Sequence, residues 1–187
     1  GGGSQWGGCT GGALDFLANQ GDSDPVVTAA MHLDLVLARV GLSRAAVEMP
    51  HNVLLPITPV DLRAIRRMLA LEAAERWTIG GANCYRLTDP DSRFAVVGPA
   101  VGAPVAAVVL ENLAALGVRR VIGFGWCGSL QRSLKIGALV VPNRAVREEG
   151  TSYHYLPAGA TPEASPDLVQ TLLAACEAAG RPALHPP

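Results

Sequence analysis

Apolar positions along the chain follow two rhythms. Short unbroken apolar runs bounded by glycine or proline occur at Asn52 to Pro56, Phe94 to Val97, Arg120 to Phe124 and Ile136 to Val141. Runs of that length between turn residues predict buried strands. Elsewhere the spacing is helical. Val26, Val27, Ala30, Leu33, Leu37 and Val40 follow Asp24-Pro25 and precede Gly41. Thr58-Pro59-Val60-Asp61 places a capping hydroxyl, a first-turn proline and an N3 acid ahead of Leu62, Ile65, Met68 and Leu69. Arg63, Arg66 and Arg67 fall mostly off that apolar face, as a solvated helix face would. Val105 to Leu116 predicts a third helix, closed by Gly117. Leu168, Leu172, Leu173 and Cys176 predict a last one, capped by Ser165-Pro166-Asp167 and ended by Gly180. Cys84 to Leu87 and Arg93 to Val97 flank Asp89-Pro90-Asp91, which predicts a hairpin. The tail from Arg181 is rich in proline and predicts no paired strand.

A helix between apolar strands at 94–124 predicts a βαβ unit with a parallel pair. The expected architecture is a single α/β domain: three layers, a central mixed β-sheet and helices on both sides. The opening 1–12 is glycine-rich and cannot bury enough surface to offset its ordering entropy. Residues 1–48 are therefore expected to be an extension plus one helix, dispensable for a core domain at 49–187, although the spacing equally allows that helix to pack on the domain. Met49 is a plausible start of that domain.

Composition narrows the function classes. The net charge is −1, without a long run of one sign, which argues against a nucleic-acid footprint. Cys9, Cys84, Cys127 and Cys176 are scattered without metal-ligand spacing, so no metal site is expected. Free thiols in a reducing cytoplasm follow. Phe94 to Leu110 carries no charge, but Gly98, Pro99, Gly102 and Pro104 interrupt it. A strand, a turn and a helix start are expected there rather than a membrane span. No secretory leader pattern opens the chain.

Gly123, Gly125 and Gly128 fit a GxGxxG pattern after a strand, with Glu148 about where a ribose-binding acid would lie. A dinucleotide turn must open a helix. Ser129 to Lys135 is too short for a crossover helix before the next apolar run, so a Rossmann protein is the distant alternative.

Three ordered segments resemble the nucleoside phosphorylase family, in its uridine and hexameric purine branch. Val97-Gly98-Pro99 to Pro104 and the following Val108 to Gly117 resemble its glycine turn and "xxALEELxxLG" helix. Gly125-Trp-Cys-Gly128-Ser-Leu130 resembles its "GTxGxL" turn. Gly137 to Pro142, with Arg147-Glu-Glu-Gly-Thr-Ser-Tyr-His-Tyr155, resembles its "GDLVI…RxEGTSxHY" segment. The resemblance implies phosphorolytic cleavage of a purine or pyrimidine nucleoside, giving a base and a pentose 1-phosphate. Nucleoside and phosphate would be the partners, with phosphate as co-substrate, no other cofactor, and a homo-oligomer. Hydrolysis by a nucleosidase and a non-catalytic nucleoside-binding fragment are the alternatives.

Gly98, Pro99, Gly125, Trp126, Cys127, Gly128, Glu149, His154 and Tyr155 are the candidate substrate-binding residues. No catalytic residue is assigned. Glycine turns suit an anion because backbone N–H groups can approach it. Trp126 is expected at the mouth of the pocket. Glu149 is expected chiefly to hold the Gly150-Thr151-Ser152 turn, His154 to make a loop hydrogen bond, and Tyr155 to stack on a base or pack.

The chain also departs from the family. Gly123 stands where the family's phosphate arginine precedes the turn, and Trp126 stands in place of its threonine. Leu55-Pro-Ile-Thr-Pro59 replaces the "GDPxR" loop. The chain ends near where the base-recognition segment and the "Met-Glu" ribose clamp would follow, so the fold is expected to be incomplete.

Overall fold

The computed structural model describes residues 27–71, 75–79, 82–86 and 93–185. The glycine-rich opening, the Asp24-Pro25 helix start and the 89–91 turn lie outside them. The chain divides into two compact units, residues 27–127 and 128–185.

The first unit is built on a five-stranded sheet. Its strands are β1 (Asn52–Pro56), β2 (Glu75–Ile79), β3 (Ala82–Arg86), β4 (Phe94–Gly98) and β5 (Arg120–Phe124), in the order β2-β3-β4-β1-β5. β1 lies parallel to both β4 and β5, while β2, β3 and β4 run antiparallel in succession. The hairpin of β3 and β4 is the one expected. The expected βαβ unit needs a correction: β4 and β5 are parallel but do not pair, because β1 sits between them. β2 was not anticipated.

Among the described residues three helices flank this sheet: α1 (Ala29–Ala38), α2 (Pro59–Met68) and α3 (Ala103–Ala115). Alternation along the strands sorts them onto two faces. Val53, Leu55, Ala95 and Val97 share one buried cluster with Leu33 and Leu37 of α1 and Val109 and Leu113 of α3. Leu54, Phe94, Val96 and Tyr85 pack with Leu62 and Ile65 of α2 and with Leu71. Helices on both faces of a mixed sheet make the three-layer α/β fold, and strands buried on both sides explain the unbroken apolar runs. The stretch from Phe94 to Leu110 is β4, a turn and the start of α3, not a span. Among the described residues no helix is long and apolar enough to cross a membrane.

α1 begins at Thr28, whose hydroxyl accepts from Met31 N–H at 3.1 Å. Leu33 is 2% exposed, and Val47 and Met49 lie in the same cluster. The helix and the segment after it thus complete one face of the core.

The second unit holds α4 (Pro166–Ala178) and a two-stranded parallel ladder of β6 (Leu139–Val140) and β7 (Ala183–Leu184). The tail expected to lack a paired strand supplies β7. The apolar run 136–141 yields only a two-residue strand. Ser165 precedes α4 without a side-chain capping bond. No helix lies between β5 and β6, so the glycines at 123–128 open no dinucleotide-type helix.

Candidate functional site

The carboxyl ends of three parallel strands meet in the first unit. This is the end of an open α/β sheet where ligands are bound. Two backbone bonds join them: Ile57 N–H donates to Phe124 C=O at 2.9 Å, and Ala100 N–H donates to Ile57 C=O at 3.1 Å. Gly98 and Gly125 make the approach possible. A Cβ on Gly98 would lie 2.5 Å from the carbonyl oxygen of Pro56. A Cβ on Gly125 would lie 3.1 Å from Ile57 Cγ1. Gly98 is thus required by strand packing, while at Gly125 the Ile57 side chain would have to give by a few tenths of an ångström. Gly98 is buried, and its bond to Pro99 is cis.

Beside this junction sits a side-chain cluster that the sequence did not disclose. Asp61, at the third position of α2, is 2% exposed. Its Oδ2 accepts from the Thr58 hydroxyl at 2.6 Å, and its Oδ1 accepts from the Trp126 indole N–H at 2.5 Å. The Thr58 hydroxyl in turn accepts from Asp61 N–H at 3.2 Å, which caps the helix. Trp126 is pinned at one edge while its ring remains 76% exposed. Cys127, next to it, is a free and exposed thiol. Arg120 lies at the far end of β5, paired with Asn52, so it supplies no charge at the carboxyl ends.

In the second unit, Arg147 organises the segment 147–160. Its Nε donates to Ser152 Oγ at 3.0 Å, Nη1 to the carbonyls of Pro157 at 2.7 Å and Ala160 at 3.0 Å, and Nη2 to that of Leu156 at 2.8 Å. The guanidinium also lies over the Tyr153 ring, 4.3 Å from its centroid. A residue that the sequence left unassigned is therefore the clamp of this loop. A cleft of about 650 Å³ opens beside it, lined by Asn143, Arg144, Val146, Tyr153 and Thr161 among others.

Glu149 Oε2 accepts from Ser152 N–H at 3.0 Å, the turn-holding contact expected of it. The Ser152 side chain and backbone, with a smaller contribution from Arg147, hold its carboxyl below the ordinary glutamate value. A depressed folded-state pKa means that the contact is fully formed above the unfolded value and is lost as pH falls through the folded one. The Ser152 amide resonance should therefore titrate with a midpoint below that of an ordinary glutamate, and Glu149→Gln should remove this inflection. A midpoint at or above the ordinary value would contradict the contact.

His154 and Tyr155 are exposed on the short 3₁₀ turn Thr151–His154 and just beyond it. The structure thus gathers Gly98, Pro99, Gly125, Trp126 and Cys127 at one sheet end. Gly128, Glu149, His154 and Tyr155 belong to the other unit.

Comparison with known proteins gives this arrangement a family. The family model described as the phosphorylase superfamily matches residues 55–186. A uridine phosphorylase from Thermococcus kodakarensis is 34% identical over 87 residues, which is 46% of this chain and 31% of that protein. A guanosine phosphorylase from Halorubrum lacusprofundi is 42% identical over 55 residues, 29% of this chain and 23% of that protein. The crystal structure of purine nucleoside phosphorylase from Toxoplasma gondii in complex with immucillin-H aligns with a TM-score of 0.66 at 26% identity. That alignment covers 77% of this chain and 57% of that one. The chain thus spans about a quarter to a third of the curated relatives cited and just over half of the solved structure. With the family model matching well over half of its length on a three-layer α/β fold, the chain belongs to the phosphorylase superfamily.

Proposed function

We propose that this protein cleaves the N-glycosidic bond of a purine or pyrimidine nucleoside in the manner of a nucleoside phosphorylase, with phosphate as co-substrate. The observation that carries this reading is the junction of β1, β4 and β5. There, the glycine turns that resemble the family's lie at the ligand-binding end of the sheet of a superfamily member. Such a reaction builds positive charge on the sugar and negative charge on the departing base. Catalysis then consists of positioning the sugar and stabilising both charges. In this reading Pro99, Trp126 and Cys127 line the substrate path, with Gly98 and Gly125 holding the strand ends close. In the second unit Glu149 keeps its turn. A homo-oligomer in a reducing cytoplasm completes the proposal, supported by the family resemblance and by free Cys127 and Cys176.

A second reading, hydrolysis, is favoured by Gly123 in the family arginine's place and by the buried Asp61. The test is release of free base from inosine, uridine and adenosine, with and without phosphate. Base release from at least one nucleoside is expected, and its dependence on phosphate assigns the acceptor. No release from any of the three under either condition would overturn the proposal.

A further inference from the structure

We infer that Trp126 is a fixed stacking platform for the nucleobase, set in place by the buried carboxylate of Asp61. The inference rests on the nucleoside-cleaving reading of the same strand ends and names the part of the substrate that Trp126 meets.

Trp126 is both exposed and anchored. Its ring keeps 76% of its surface open, yet its indole N–H donates to Asp61 Oδ1 at 2.5 Å. The anchor is itself held firmly. Asp61 is 2% exposed, its Oδ2 accepts from the Thr58 hydroxyl, and its own N–H donates back to that hydroxyl. All of this lies in the capped first turn of α2, with Pro59 at its start. A ring tied at one edge and left mostly in solvent contributes little apolar burial to folding. What it does provide is a flat aromatic surface in one orientation, so a ligand that stacks there does not have to order it.

The ring follows β5 by two residues, beside the bond from Ile57 N–H to Phe124 C=O, at the sheet end where ligands bind. The parts of a nucleoside reaction ask for different partners. Phosphate needs cations or N–H donors, and sugar hydroxyls need hydrogen-bonding groups. The base alone has a π-face to lay on another. The one polar group of Trp126 is already taken by Asp61, so its face is what remains to offer. Bonding to a carboxylate adds electron density to an indole face that is negative to begin with. Among the described residues no lysine, arginine or histidine nitrogen lies within ion-pair distance of Asp61 to offset this. Such a face suits an electron-poor ring carrying carbonyl groups, as in hypoxanthine or uracil, and the larger purine covers more of it. Asp61 touches Trp126 and not the base, so it is a positioning residue.

The experiment titrates the full chain with hypoxanthine, uracil or ribose and follows the Trp126 indole by NMR, its signals assigned by their loss in Trp126→Leu. Hypoxanthine should shift the ring protons upfield and saturably, uracil more weakly, and ribose not at all. Trp126→Leu, which has no π-face, should bind hypoxanthine about fivefold or more weakly. Asp61→Asn keeps an acceptor for the indole and should fall between wild type and Asp61→Leu, which frees the ring. Nitrogen relaxation of the wild-type indole N–H should match that of the α2 amides, and in Asp61→Leu it should show faster motion. If Asp61→Leu does not fold, the wild-type relaxation decides: an indole as rigid as α2 supports the anchor and a mobile one refutes it. Absence of saturable hypoxanthine binding, or binding that Trp126→Leu leaves unchanged, would overturn the inference. So would indole shifts that follow protein concentration instead of hypoxanthine, which would assign the ring to a contact between copies. None of these readouts involves bond cleavage. Cleavage with a silent Trp126 would therefore sink the platform alone, and stacking without cleavage would sink the proposed activity alone.

Discussion

Removing residues 1–48 should abolish the cooperative melting transition of the first unit. The deletion takes away α1 with Leu33 and Leu37, and also Val47, all three part of the cluster on one face of the sheet. What they cover is the inward row of the central strands, Val53, Leu55, Ala95 and Val97, together with Val109 and Leu113 of α3. Emptying one buried leucine site costs about 2–5 kcal/mol. Losing two leucines and a valine together approaches the whole stability of an ordinary domain, about 5–15 kcal/mol. The single substitution Leu33→Ala is the gentler version and should cost about 3 kcal/mol. Urea unfolding followed by circular dichroism reads both. A truncated chain that melts as cooperatively as the full one would show that the sheet face is satisfied without α1.

The second large effect is expected from one methyl group. Gly98→Ala places a Cβ 2.5 Å from the Pro56 carbonyl oxygen and 2.9 Å from Pro56 Cγ. The first obstacle is backbone of the central strand, so β1 and β4 must part at the end where Ala100 donates to Ile57. Overpacking of this kind costs about 3 kcal/mol, and it also spreads the strand ends that the proposed activity needs. Gly125→Ala is the internal control. Its Cβ would meet the Ile57 side chain at 3.1 and 3.2 Å, and a side chain can shift. That substitution should cost less than about 1.5 kcal/mol. Urea midpoints compare the pair, and equal losses would mean that the junction is not held by backbone contact at Gly98.

Local chemistry was the readable part of this chain. β1 and the start of α2 follow from neighbours in sequence: an apolar run, then Thr58, Pro59 and Asp61 in capping order. α3 and its end at Gly117, which has φ of +84°, follow equally from a nearby periodicity and a left-handed glycine. β2 is legible in the sequence as well. Glu75 to Ile79 is followed by Gly80-Gly81, a two-residue hairpin signal, and Ile79 indeed pairs with Ala82. The insertion of β1 between β4 and β5 was not legible, because pairing between distant segments leaves no mark on local spacing. β7 is too short, at two residues, to show a period.

The site divides the same way. The glycine turns announced the sheet end, and the structure adds a packing role for Gly98 against Pro56 of β1 that local spacing does not show. Asp61 was visible only as an N3 acid. Its partner lies 65 residues away in sequence, and the indole bond joins α2 to the turn after β5. Arg147 was seen as part of a motif, yet its role as a clamp depends on carbonyls up to 13 residues further along.

The central position of β1 also bears on how the chain is made. Val53 pairs with Ala95 on one side and with Val121 on the other, so β1, the earliest described strand in sequence, waits for both neighbours. During synthesis from the amino end, β1 and the apolar face of α2 leave the ribosome with nothing to close the sheet around them. At about 5–20 residues per second, the interval until Phe124 emerges lasts several seconds. Until Gly98 emerges β1 has two bare edges, and from then until Phe124 it has one, each able to pair with another nascent chain. Newly made protein is thus most exposed to misassembly between the emergence of Pro56 and that of Phe124, and co-translational holding of that interval should raise its soluble yield.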